Sequence, residues 1–168
     1  MKKIRLFIVL FMGINLAFAQ NQTQKAAINK VMDAWHLAAS KADLKAYFDL
    51  MDKESIFIGT DATERWNKQD FMIWAKPYFD KGKAWSFTSL ERHITFSADG
   101  KTAWLDELLN TQMKICRGSG VLEKKNGKWL IKHYVLSMTV PNDLVDTLVP
   151  LKTPAENKII DSLTSKNK

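Results

Sequence analysis

RGSGVLEKKNGKWLIKHYVLS, Arg117–Ser137, decides the fold. It reads as two β-strands joined by the polar turn Lys124-Lys125-Asn126-Gly127-Lys128. Asn-Gly between apolar runs is the strongest short-range hairpin signal, because both central residues of a type I′ turn need positive φ. Alternation along the return strand puts Trp129, Ile131, His133, Val135 and Ser137 on one face. Leu130, Lys132, Tyr134, Leu136 and Met138 then take the other. A Trp, a His and a Ser in an otherwise apolar row suit a pocket wall, and equally a packed core with two satisfied polar groups.

Upstream, the chain supplies helices before strands. Ile28, Val31, Met32, Trp35 and Ala39 recur at three- and four-residue steps, one apolar stripe of a helix over about 23–40, with His36 at its edge. Asp43 caps a short second helix through Met51. Glu54–Gly59 reads as a strand that Gly59-Thr60-Asp61 breaks into a loop. Lys68–Lys81 reads as a third helix that Pro77 should end or kink. Trp85–Ser97 and Thr102–Gln112 are strands joined by the turn Ala98-Asp99-Gly100-Lys101. Helices followed by a meander of strands imply an α+β domain: N-terminal helices packed on a curved, mainly antiparallel sheet. The strand Thr102–Gln112 is apolar on both faces, Ala103, Leu105 and Leu109 against Trp104 and Leu108. The second face therefore predicts a homodimer through the sheet, with Tyr134 and Leu136, opposite His133, at the contact.

The flanks read differently. Lys2, Lys3 and Arg5, an apolar run from Ile4 to Leu16, and Ala17-Phe18-Ala19 make a cleavable signal peptide over residues 1–19. The run is shorter than the ~20 residues that span a bilayer, so no stable membrane insertion is expected after cleavage. The protein is expected to be periplasmic or secreted. The domain covers 20–141, and 142–168 is an extension with a short helix after Thr153-Pro154-Ala155-Glu156, a capping box. The formal charge of +7 falls to +4 without Lys2, Lys3 and Arg5, and the remaining lysines are scattered. That is a solvated surface and no nucleic-acid stripe. Cys116, the sole Cys, reads as a small buried apolar residue. His36, His93 and His133 have no metal-ligand spacing, and neither metal nor cofactor is expected.

The strand beginning Arg117-Gly-Ser-Gly-Val-Leu, the turn, and Gly-Lys-Trp-Leu-Ile-Lys-His with Ser137 beyond resemble the end of a SnoaL-like domain of the nuclear transport factor 2-like superfamily. Ala34-Trp35, Ala42-Asp43, Ile56-Phe57-Ile58-Gly59-Thr60-Asp61 and Glu64 extend the resemblance over roughly 24–141. Many members carry a second His two residues after the first on the last strand; here that position is Val135. The resemblance implies the cone fold and dimerisation through the sheet. It leaves function open, because the fold hosts isomerases, cyclases, dehydratases, transport factors and binding modules.

No phosphate loop, nucleophile elbow or metal triad is present. The candidates are polar groups in an aromatic setting: Trp35, Asp61, Glu64, Trp66, Trp85, Glu107, Arg117 and His133 as ligand-binding residues. His133, Glu107 and Asp61 are the candidates for chemistry. Of Asp106 and Glu107 only one points inward, and Glu107 is the expected partner of Arg117, beside which Gly118-Ser119-Gly120 leaves room. This set fits a module that holds a small, partly apolar organic ligand in a Trp-lined pocket. The alternatives are carboxylate–imidazole acid/base chemistry of isomerase, cyclase or dehydratase type, and a ligand-free structural or interaction domain.

Overall fold

A computed structural model describes residues 2–166, with side chains from Asn21 onward. The Arg117–Ser137 hairpin forms on its Asn-Gly turn: Asn126 and Gly127 have φ of 50° and 80°, and Lys125 pairs with Lys128 across it. The chain runs α1 (Lys2–Ser40), α2 (Leu44–Asp49), β1 (Met51–Ile58), β2 (Arg65–Asn67), α3 (Lys68–Asp80), β3 (Thr88–Phe96), β4 (Thr102–Thr111), β5 (Lys114–Lys125), β6 (Lys128–Met138), a 3₁₀ turn (Asn142–Leu144) and α4 (Val145–Lys166). It divides into two compact units between Met138 and Thr139.

In the first unit the helices pack on a curved six-stranded sheet of order β2-β1-β6-β5-β4-β3. Every pairing is antiparallel except β1 with β6. The stripe on α1 is the core face: Ile28, Met32, Trp35 and Ala39 are buried against Ala103, Leu105 and Leu109 of β4, Cys116 and Leu122 of β5, and Ile131 of β6. α1 ends in a Schellman-type closure, Asp43 N to Ala38 O at 2.9 Å and Ala42 N to Ala39 O at 3.0 Å, with Ala42 at φ 53°. Asp43 then caps α2 by accepting from Ala46 N at 2.9 Å. The side chains of residues 1–20, on which the expected signal peptide falls, lie outside the described residues, as does Met1 as a whole.

The strand faces need a correction. In β6 an extra residue, Lys132, is accommodated between the pairs Leu122–Ile131 and Val121–His133. A β-bulge of this kind reverses the alternation beyond it. Trp129 and Ile131 face the core as expected, but past the bulge Tyr134 and Leu136 are the buried residues, 0% and 5% exposed. His133 and Val135 take the outer face, and Tyr134 and Leu136 cannot form a subunit contact.

Smaller differences have local causes. α3 passes Pro77 and runs to Asp80, held by buried Phe79. α4 starts earlier than expected and continues through Pro150 and Pro154; Thr153 Oγ1 donates to Val149 O at 2.7 Å beside the gap these prolines leave in the ladder. Among the described residues no helix is long and apolar enough to cross a membrane.

Candidate functional site

A cavity of about 180 Å³ opens where β1 ends. Phe57 and the loop Gly59–Glu64 form one side, Trp66 of β2 with Phe71 and Trp74 of α3 another. Trp85 and Phe87, the β4–β5 turn residues Gln112 and Met113, and Leu136 of β6 complete it. The rings lie nearly parallel. Phe57 stacks on Phe71 at 4.1 Å and 7°, Trp66 on Trp74 at 4.8 Å and 29°, and Phe71 and Trp85 are 5.9 Å apart at 22°. Such offset stacks present flat apolar walls.

The loop above these walls is tied to itself. Gly59 N donates to Glu64 O at 3.0 Å, and Glu64 N to Asp61 O at 3.0 Å. Asp61 Oδ1 accepts from Thr63 N at 2.8 Å and from Thr63 Oγ1 at 2.6 Å, which holds its carboxyl below the usual carboxylate range. Asp61 N donates to Glu64 Oε2 at 3.2 Å and so fixes the carboxylate that lines the cavity. Gly59 leaves room for this arrangement, since a Cβ there would collide with Glu64 Oε2 and push the carboxylate aside.

Beneath the cavity lies a buried polar network. Glu107, 1% exposed, is its centre. Its Oε1 lies 3.0 Å from His36 Nε2 and accepts from Tyr134 Oη at 2.7 Å. Its Oε2 accepts from Arg92 Nε at 2.9 Å, with Arg92 Nη2 at 2.8 Å. Arg92 Nη1 reaches back to α1, to Asn29 Oδ1 at 3.0 Å and Asp33 Oδ1 at 2.9 Å. Burial raises the Glu107 pKa, but the bond and charge of His36, the charge of Arg92 and the Tyr134 bond outweigh it, and the net shift is downward. Burial, then the Glu107 charge and bond, push the Tyr134 hydroxyl well above its ordinary value.

The eight residues singled out in the sequence thus fall into three places. Glu64, Trp66 and Trp85 line the cavity, while Asp61 is exposed and shapes its loop. Trp35 and Glu107 are interior; Trp35 stacks on Tyr47 at 4.8 Å and meets Tyr134 edge-on at 4.8 Å. Arg117 and His133 are on the outer sheet face. Arg117 opposes Leu108 and Ser137 in the ladders, so its side chain leaves on the face opposite Glu107. It borders a polar groove with Glu91, His93 and Asp106, and the expected Glu107–Arg117 pair does not form. Glu107 instead opposes Gly118, whose missing side chain admits the Tyr134 hydroxyl: a Cβ there would lie 1.9 Å from Tyr134 Oη. The glycines flanking Ser119 make room for Tyr134, and not for Arg117.

Sequence reasoning passed over Arg92, Tyr134 and the role of His36. Arg92 was within reach of register arithmetic, since counting back from the Ala98–Lys101 turn sets it opposite Glu107. Among the described residues no group of three or more His, Cys, Asp or Glu side chains could hold a metal.

The model of the SnoaL-like domain matches residues 28–141, most of the chain. The protein belongs to the SnoaL-like family. No curated protein matches it. Solved structures similar to this SnoaL-like chain share its fold at low identity. An NTF2-like protein of unknown function from Pseudomonas putida is 11% identical with a TM-score of 0.62, over 73% of this chain and 91% of that one. A candidate dehydratase of the NTF2-like family from Streptomyces avermitilis is also 11% identical with a TM-score of 0.62, over 72% and 99%. The association domain of C. elegans CaMKII is 21% identical with a TM-score of 0.58, over 70% and 97%.

Proposed function

We propose that this SnoaL-like protein is an exported, dimeric binding module that holds a partly apolar small organic molecule in the cavity walled by Trp66, Trp74 and Trp85. The aromatic cavity with few polar groups supports this reading most directly. Glu64 is the orienting group, and Asp61 acts through the loop. Thermal-shift and Trp-fluorescence screening of small aromatic compounds tests it. A stabiliser whose effect survives Trp66→Ala and Trp85→Ala together would remove the site.

Export rests on the basic start, the apolar run and Ala17-Phe18-Ala19. Intact mass of the secreted or periplasmic protein should begin at Gln20; retained Met1 would mean an anchor. Dimerisation is assigned to the outer sheet face, where Trp104 is 48% exposed and pairs with Val121, itself opposite His133. That one structural relative is an association domain is in keeping with it.

The buried carboxylate–imidazole pair Glu107–His36 favours a second reading, acid/base catalysis. Neither residue lines the cavity. Each is one ring away, His36 beside Phe87 at 6.0 Å and the Glu107 partner Tyr134 beside Phe57 at 6.1 Å. Turnover would therefore need that wall to open, and binding is the better-supported function.

A further inference from the structure

From the charge of the cavity wall we infer that the preferred ligand is a monocyclic aromatic cation, with its ring against the aromatic wall and its positive head at Glu64. The inference rests on the binding reading above and narrows it. Among the described residues Glu64 is the sole charged one lining the cavity, and no Lys or Arg does. The chain as a whole is basic, so its surface charge gives no reason for an acidic pocket. The carboxylate has no ion-pair partner among the described residues. It accepts from Asp61 N, which positions it and leaves its charge unneutralised. Gly59 leaves free the space that the carboxylate occupies.

Aromatic faces beside a carboxylate are what an organic cation requires, because the ring quadrupoles and the acid attract the same charge. An anionic ligand has no fork to meet it there, since Arg117 lies on the outer face. Size points to one ring: an apolar cavity of about 150 Å³ takes benzene, and this one, of about 180 Å³ and open at the mouth, leaves the head outside the rings.

The test uses three probes of nearly one shape on the purified full domain: phenyltrimethylammonium, neutral tert-butylbenzene and anionic benzenesulfonate. Binding is read by quenching of Trp fluorescence. The cation should bind about tenfold more tightly than the neutral isostere, with the anion weakest. Glu64→Gln can keep the bond from Asp61 N while losing the charge, and should erase the preference without lowering Tm. Gly59→Ala keeps the charge but displaces the carboxylate, and should weaken the cation selectively. Equal affinity for cation and neutral probe, with both lost in Trp85→Ala, overturns the cationic assignment and leaves the pocket. No binding of any probe overturns the binding reading itself.

Discussion

Replacing Arg92 by Met keeps an unbranched stem of similar reach and removes the guanidinium from Glu107. Two contacts of 2.8–2.9 Å to Oε2 disappear, as do the bonds to Asn29 and Asp33 that tie β3 to α1. Both side chains of the pair are almost fully buried, 6% and 0% exposed, so water cannot replace the lost partner. Breaking a buried pair from one side costs about 3–5 kcal/mol. His36 and Tyr134 still hold Oε1, so the loss belongs near 3 kcal/mol, a large part of the ~5–15 kcal/mol that stabilises a domain. Urea unfolding followed by Trp fluorescence measures it. The pH dependence carries a sign. Glu107 has a lowered pKa in the folded protein, so its contribution is present above the ordinary carboxylate pKa of about 4.3 and is lost as pH falls through the folded value. Without Arg92 burial is less opposed and the folded pKa rises, so the deficit of the variant should shrink on acidification. Arg117→Met, on the outer face, should stay within about 0.5 kcal/mol of wild type. If Arg92→Met is equally silent, or Arg117→Met equally costly, the assignment of Glu107 to Arg92 is wrong.

Gly118→Ala should destabilise by about 1–3 kcal/mol, the cost of overpacking, because its Cβ meets the Tyr134 hydroxyl; Gly118→Ala combined with Tyr134→Phe should recover part of it in the same unfolding assay. Asp52 is buried between Lys125 and Lys132 at 2.7 and 3.2 Å; burial raises its pKa, but these lysines and the Glu54 backbone N–H hold it well below the usual range. Its contribution is therefore present above about pH 4 and lost on acidification, and Asp52→Asn should cost about 2 kcal/mol at pH 7 and much less in acid. Trp104→Glu should shift sedimentation from dimer to monomer with little change in unfolding midpoint; a wild type already monomeric at micromolar concentration would refute the outer-face contact.

Much of the fold was legible because local chemistry and hydrophobic spacing agreed. Asn126-Gly127 demanded a hairpin, the Ile28–Ala39 stripe demanded a buried helix face, and Glu64 and Trp66, which follow β1, meet Trp85, which precedes β3, at the cavity. The interior network was hidden by one residue. WLIKHYVLS has apolar side chains in both parities, so alternation alone cannot reveal that Lys132 is accommodated as a bulge. That extra residue puts Tyr134 inside and His133 outside, and with Tyr134 inside the glycines at 118 and 120 acquire their purpose. Arg117 was misassigned for a related reason: it is near Glu107 in the neighbouring strand but of opposite parity to Gly118, the true neighbour.

The pairing of β1 with β6 ties the beginning of the domain to its end. During synthesis β1 and β2 emerge with no neighbour except each other, while β3 to β6 can zip up successively through local hairpins. The N-terminal half therefore waits, its strand edge and aromatic side chains exposed, until β6 is available to pair with β1. Long-range closure of this kind slows folding and lengthens exposure to aggregation. A chain shortened before Lys128 would lose β6, one of the two central strands of the sheet, so a nonsense mutation even late in the domain should yield insoluble protein with no functional fragment.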